Sequence, residues 1–322
     1  MYNNIKLDKS LYSITGKSFT EALTALDPDE NYAGTELSSL DAFERQLKRF
    51  NIRISGPDCD RVEKFFANAE SAVLFPEYVR RSIKQGMNEA SILPEIIAAV
   101  TYTDQIDFRG LTVTSTGTDT GVDQRGSLPV TTVVLASEPK ALTKFARKLS
   151  CSYESVRKQR LEAFGVILRS LGAQLSRAVN KLALDDLSYG ITPSQIAGAS
   201  ITYADLAAFW ASMSDRDMTT MVCSPVVMAE ILALDEMKLC VSDYMTSGKV
   251  KTPYGVTIVK SSAVADDTVI GIDKSCAAEM VCGTDVIVDF DKLISSQCDE
   301  IAASVTVGFS ALTSGAVKVL EA

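Results

Sequence analysis

The chain has 322 residues, enough for two or three packed regions, and its apolar and charged shares of 46% and 23% are those of an ordinary folded protein. A formal charge of −9 disfavours tight non-specific nucleic-acid binding by the chain as a whole. Histidine is absent, which removes the commonest general base and metal ligand and argues against an enzyme, though carboxylate or lysine chemistry stays open. No stretch is apolar enough for a membrane span, and the opening MYNNIKLDKSLYSITGKS lacks the apolar centre of a signal peptide. The cysteines are scattered, with none in a C-x-x-C, and read as small core residues in a reducing compartment.

Residues 1–70 form a first unit. Its middle, DPDENYAGTELSSL, is an acidic loop. Leu37, Leu40, Phe43, Leu47 and Phe50 recur at three- and four-residue steps and predict one apolar helix face, capped by Ser38 or Ser39. SGPDCD interrupts the pattern, and Val62, Phe65 and Phe66 predict a second short helix. Two thin helices joined by polar loops cannot bury both apolar faces against each other. Phe43, Leu47, Phe50, Phe65 and Phe66 are therefore expected to form an arm laid on a neighbouring surface. In 71–101, Pro76 predicts the first turn of a helix ending near Gly86, and Pro94 with the apolar run 96–100 predicts a buried extended segment.

From 102 to 138 nothing in the chain could build a core. Strand-like runs at 106–114 and 128–135 flank GTDTG, which predicts a long hairpin with a soft tip at 117–121. Such a ribbon exposes backbone donors and acceptors that water or another molecule must satisfy. Neighbouring copies are the economical answer, with Asp107, Arg109, Asp119, Asp123 and Arg125 as candidate inter-subunit contacts.

Thr143, Phe145, Arg147 and Leu149 alternate as a strand does. Ser152 is then expected to cap an unbroken helix to about Leu184, roughly 50 Å long. Its apolar stripe is Val156, Phe164, Ile167, Leu168, Leu171, Leu175, Val179 and Leu182. Arg157, Lys158, Arg160, Arg169, Arg177 and Lys181 fall largely off that stripe. They form either a solvated face or one that meets packaged polyanion or a neighbour's acidic arm.

After a Gly- and Pro-containing connector, 185–200, the pattern predicts a mixed α/β domain without a βαβ repeat. Helices are expected at 203–213, opened by Thr202, and at 225–234. Strands are expected at 220–223, 256–259, 268–272, 286–290, 301–309 and 316–320. Gly16-Lys17-Ser18 imitates the end of a phosphate loop, but position 11 is Leu11 rather than glycine, so it reads as an exposed turn. Asp185-Asp186 and Asp266-Asp267 read as solvated turn residues. No cofactor or metal site is indicated.

This order of parts resembles the major capsid protein of tailed bacteriophages, which has the Hong Kong 97 fold. The resemblance runs from about residue 18 to the C-terminus. It is carried by NAESAVLFPEYVRRSIKQG at 68–86, KLSCSYESVRKQRLEAFGVILRSLG at 148–172 and the closing segment from Val286. It implies an α+β fold in six parts. These are an N-terminal arm (1–70), the start of a peripheral domain (71–101), an extended loop (102–138), the peripheral domain with its spine helix (139–190), an axial domain (191–284) and return strands (285–322). It also implies a non-catalytic subunit of hexamers and pentamers. These would close an icosahedral shell around double-stranded DNA, assembled in the bacterial host cytoplasm, with a portal and no membrane.

Two departures qualify the likeness. Some relatives weld their shells through a lysine in the extended loop, but no lysine lies between Lys84 and Lys140. The shell is expected to be non-covalent, so particles should run as single subunits, without ladders, in reducing denaturing gels. Residues 1–70 are also too short and too patterned for a cleaved scaffolding segment, so a separate scaffolding protein is expected, with Met1 retained in mature particles. The rivals are an encapsulin-like nanocompartment and an acidic α/β enzyme using carboxylates or Lys260.

Overall fold

The computed structural model describes residues 5–14, 16–116 and 121–322. Helices begin where a side chain can satisfy the free amides of the first turn. Reciprocal capping boxes open α1 (Phe19–Leu26) at Ser18/Glu21 and α2 (Ala42–Arg49) at Asp41/Glu44. The Ser18 of the phosphate-loop mimic is thus a helix cap. Leu37 and Leu40 precede α2 rather than belonging to it, because the cap is Asp41 and not Ser38 or Ser39. Asn68 caps α3 (Ala69–Ala72), and α4 (Phe75–Ala90) follows with Pro76 in its first turn.

Four short strands come next: β1 (Ala99–Tyr102), β2 (Asp107–Phe108), β3 (Leu111–Thr116) and β4 (Val130–Leu135). Then come β5 (Lys140–Ala141), the long β6 (Thr143–Ser152), α5 (Tyr153–Lys158), α6 (Leu161–Ser188) and β7 (Ser194–Gln195). A third capping box, Thr202/Asp205, opens α7 (Tyr203–Ala211). It is followed by β8 (Thr220–Cys223), α8 (Pro225–Ala233), α9 (Asp235–Lys238) and α10 (Val241–Ser247). The chain closes on β9 (Val250–Lys251), β10 (Thr257–Lys260), β11 (Thr268–Ile272), β12 (Ala278–Leu293), β13 (Cys298–Ala311) and β14 (Val317–Glu321). One sheet has the order β1-β12-β13-β6, another the order β7-β14-β11-β8-β10-β9, and β2-β5 and β3-β4 form two-stranded ladders.

The chain divides into two discontinuous compact units, one of 1–89, 146–175 and 286–304 and the other of 90–145, 176–285 and 305–322. In the first, Phe65, Phe75, Tyr78, Phe164 and Phe290 form an aromatic core with ring centroids 5.5–6.5 Å apart. Helices α4 and α6 cross at glycine: a Cβ on Gly86 would lie 2.0 Å from the Arg169 carbonyl oxygen, and one on Gly172 would lie 2.0 Å from that of Ile83. This close packing carries α4 through Gly86 to Ala90, beyond the predicted end.

The same unit corrects the expectation that the arm needs another surface. Phe43, Leu47 and Phe65 are buried within it, Phe50 is half-buried and only Phe66 is exposed. The apolar faces are covered because charges lock 5–50 to α4. Arg81 stacks 4.4 Å over the Phe43 ring and pairs with Asp41 and Glu77, while Thr20 donates to Glu77 at 2.8 Å. Arg45, fully buried, is paired with Asp27 and Asp29 and donates to the Leu40 carbonyl.

The second unit is built on the six-stranded sheet. Strands β8 and β10 pair in parallel, Thr220 opposite Thr257, so the chain between them makes a single crossover through α8–α10. Strand β11 pairs antiparallel with both β8 and β14. Leu206 and Phe209 of α7, Val227 and Ile231 of α8, and Met221, Ile258 and Val269 of the sheet close one apolar cluster.

Candidate assembly surface

The hairpin lies in the second unit. Strands β3 and β4 pair from Leu111 opposite Leu135 to Thr116 opposite Val130. Consecutive strand residues point to opposite faces, yet Val133 and Val134 are 57% and 51% exposed, and Leu135 is 62% exposed. Among the described side chains, those of β4 are exposed on both faces, while Val113 of β3 is half-buried. Leu128 and Ile106 are exposed as well. A bare two-stranded ribbon is marginal in water, and exposed β-branched rows of this kind mark surfaces that meet another molecule.

The candidate loop contacts are spread along this ribbon. Asp107 sits in β2, opposite Ala141 of β5, and is half-buried, whereas Arg109 is exposed. Asp123 and Arg125 are exposed in a turn closed by the Gly126 amide donating to the Asp123 carbonyl at 2.8 Å, with Arg125 at φ 70°. Asp119 and most of the GTDTG tip lie outside the described residues.

The basic face needs correction, because the predicted spine is two helices. Ser152 caps α5 as expected, but the helix breaks at Gln159–Arg160. Segment 57–62 takes over the backbone bonds there. Val62 N–H donates to the Gln159 carbonyl at 3.0 Å, Leu161 N–H donates to the Asp60 carbonyl at 2.8 Å, and Arg61 bridges Arg160. Arg160 also donates to the Pro57 carbonyl. Arg157 and Lys158 therefore belong to α5, not to the rod. Arg169 is half-buried and lines a cleft of about 350 Å³ in the first unit with Phe43, Tyr78, Arg81 and Glu162. In the second unit Arg177 is exposed and Lys181 pairs with Asp185. The six residues do not share one continuous helical face.

Sequence reasoning missed a second exposed apolar group. Leu239 and Met245 are 83% and 81% exposed, and Tyr244 is 51% exposed, on or beside α9 and α10. No periodic pattern announced them, because the helices that carry them are too short to have one. Among the described residues no helix is long and apolar enough to cross a membrane.

A phage capsid protein family model matches residues 136–295, about half of the chain. No curated protein matches. Among solved structures, a virus-like particle from Pyrococcus furiosus superposes with a TM-score of 0.56 at 15% identity, covering 77% of this chain and 99% of that one. The Microbacterium phage Oxtober96 structure gives a TM-score of 0.50 at 11% identity, covering 72% and 90%. An encapsulin complex from Synechococcus elongatus aligns at 0.47 and 11% identity over 70% and 84%, a likeness too loose to argue from. The structural likenesses carry the fold and the family match carries the kind of protein: the chain belongs with the phage capsid proteins and is a structural shell subunit of the Hong Kong 97 fold.

Proposed function

We propose that this chain is the major capsid protein of a tailed phage. Its hexamers and pentamers close a non-covalent icosahedral shell around double-stranded DNA in the host cytoplasm, with the help of a separate scaffolding protein and a portal. The observation that carries this is the hairpin, whose strand β4 is exposed on both faces in the isolated chain. Apolar rows on both sides of a ribbon are costly in water and favourable against a neighbour. Phe66 in the first unit, and Leu239, Tyr244 and Met245 in the second, are further exposed apolar residues available to other copies. Shell closure makes many such contacts cooperative, so none needs to be strong alone.

The test is expression followed by negative-stain microscopy, with and without residues 104–136. The full chain, co-expressed with the scaffolding protein, is expected to give megadalton particles. The deletion is expected to leave folded subunits, with native circular dichroism, that form no stable shells. Normal particles from the deletion would remove the hairpin from the assembly role. Particles holding a cargo enzyme, rather than scaffolding protein or DNA, would turn the reading towards a nanocompartment.

A further inference from the structure

Beyond the root β4 is exposed on both faces, so the direction of the hairpin depends on how the root is held. The root is an unusually close fit. Phe108 of β2 lies against Gly308 of β13, where an added Cβ would fall 2.4 Å from the Phe108 ring and 2.9 Å from Leu142. A Cβ on Gly110 would fall 2.1 Å from the Ser310 hydroxyl oxygen, and one on Gly283 would fall 2.8 Å from Leu142. Gly283 and Gly308 stand inside long strands, where glycine weakens the ladder and marks a close approach of another group. Neither has a positive φ, so no turn requires them.

The opposite strand is held by charge. Lys140 Nζ lies 2.8 Å from Asp186 Oδ1 and donates to the Phe309 carbonyl at 3.1 Å. The other carboxylate oxygen of Asp186 is buried with no hydrogen-bond partner among the described residues, which leaves Lys140 as the group that offsets its charge. Between these anchors the ladder is short: β2 and β5 pair over two residues, flanked by Leu142 N–H to the Ile106 carbonyl and Ala136 N–H to the Gly110 carbonyl.

We infer that Phe108, Gly308 and Lys140 form a seat that sets the angle of the hairpin, and through it the fit between neighbouring copies. They are positioning residues, and the inference rests on the reading that the hairpin bridges subunits. From Phe108 to Thr116 the ribbon extends roughly 25 Å, so a tilt of about 10° at the root moves its far end by about 4 Å. That displacement is about the strand-to-strand spacing, enough to lose a contact register without unfolding the subunit.

The experiment compares wild type, Gly308→Ala, Phe108→Ala and the double variant Gly308→Ala/Phe108→Leu by thermal melting, sedimentation and negative stain, with the 104–136 deletion alongside. Gly308→Ala pushes the ring out and Phe108→Ala leaves the seat empty. Each is expected to keep a folded subunit while giving at least tenfold fewer closed shells, or shells of altered diameter. The double variant trades ring volume for the added methyl and is expected to recover assembly. Wild-type shells from Phe108→Ala, or no recovery in the double variant, would overturn the seat while leaving the hairpin's role intact. Normal shells from the deletion would instead overturn the underlying reading.

Discussion

Alanine at Gly86 or Gly172 is expected to destabilise the first unit by about 2–4 kcal/mol and to lower its melting temperature by roughly 5–12 °C. The sign is informative, because glycine to alanine inside a helix ordinarily gains about 1 kcal/mol. Here the new methyl has nowhere to go. On Gly86 it would lie 2.0 Å from the carbonyl oxygen and 2.5 Å from the Cα of Arg169, and on Gly172 it would lie 2.0 Å from the Ile83 carbonyl oxygen and 2.9 Å from the Met87 amide. These are backbone atoms of facing helices and cannot turn aside as a long side chain would. The helices must separate, which opens the packing around neighbouring Phe164 and Leu168 on α6 and Val79 and Ile83 on α4, all of them buried. The two substitutions address one crossing, so the double variant should cost less than the sum of the singles. Thermal unfolding of purified subunits decides the matter; a raised melting temperature in either single variant would mean that the crossing yields easily and that propensity dominates.

What could be read beforehand was local. Ser152 and Thr202 cap helices as expected, and 268–272 forms a strand with the predicted limits, because these features depend on neighbouring residues. The hairpin was legible in the same local way, from strand-forming runs on either side of a glycine-containing turn. Features imposed from a distance were hidden. Gln159 and Arg160 are good helix formers, and nothing nearby announces the break that Asp60 and Val62 impose from about a hundred positions away. The arm looked unsupported because α4, which covers Phe43, was counted as a separate segment. Arg45 looks like an exposed helix residue until Asp27 and Tyr32 enclose it. The seat of Phe108 on Gly308 joins strands two hundred residues apart, and only the glycine inside a strand pattern hinted at it.

Glu77→Gln is expected to cost about 3 kcal/mol at neutral pH and to cost nothing in acid. The carboxylate is fully buried and meets Arg80 through two bonds of 2.8 Å, Arg81 through a third and the Thr20 hydroxyl through a fourth. Burial alone would raise its pKa, but the hydrogen bond and charge of Arg80, followed by Arg81 and Thr20, prevail and hold it below the ordinary glutamate value. A neutral amide leaves two arginines facing a carbonyl and an unwanted N–H donor. Breaking a buried pair in this way costs about 3–5 kcal/mol, and the lower end applies because Arg80 and Arg81 are 24% and 29% exposed and rehydrate in part. A carboxyl depressed on folding stabilises fully above its unfolded pKa, about 4.3, and loses that contribution as pH falls through the folded value. The gap between wild type and Glu77→Gln, measured by denaturant unfolding, should be constant above about pH 5.5 and shrink below about pH 4.3. The loss should centre on the first unit, because Thr20 and Asp41 tie 5–50 to α4 through this cluster. Earlier proteolysis within 5–50 in the variant is the accompanying sign. A gap that stays constant down to pH 3 would mean that Glu77 contributes by shape and not by charge.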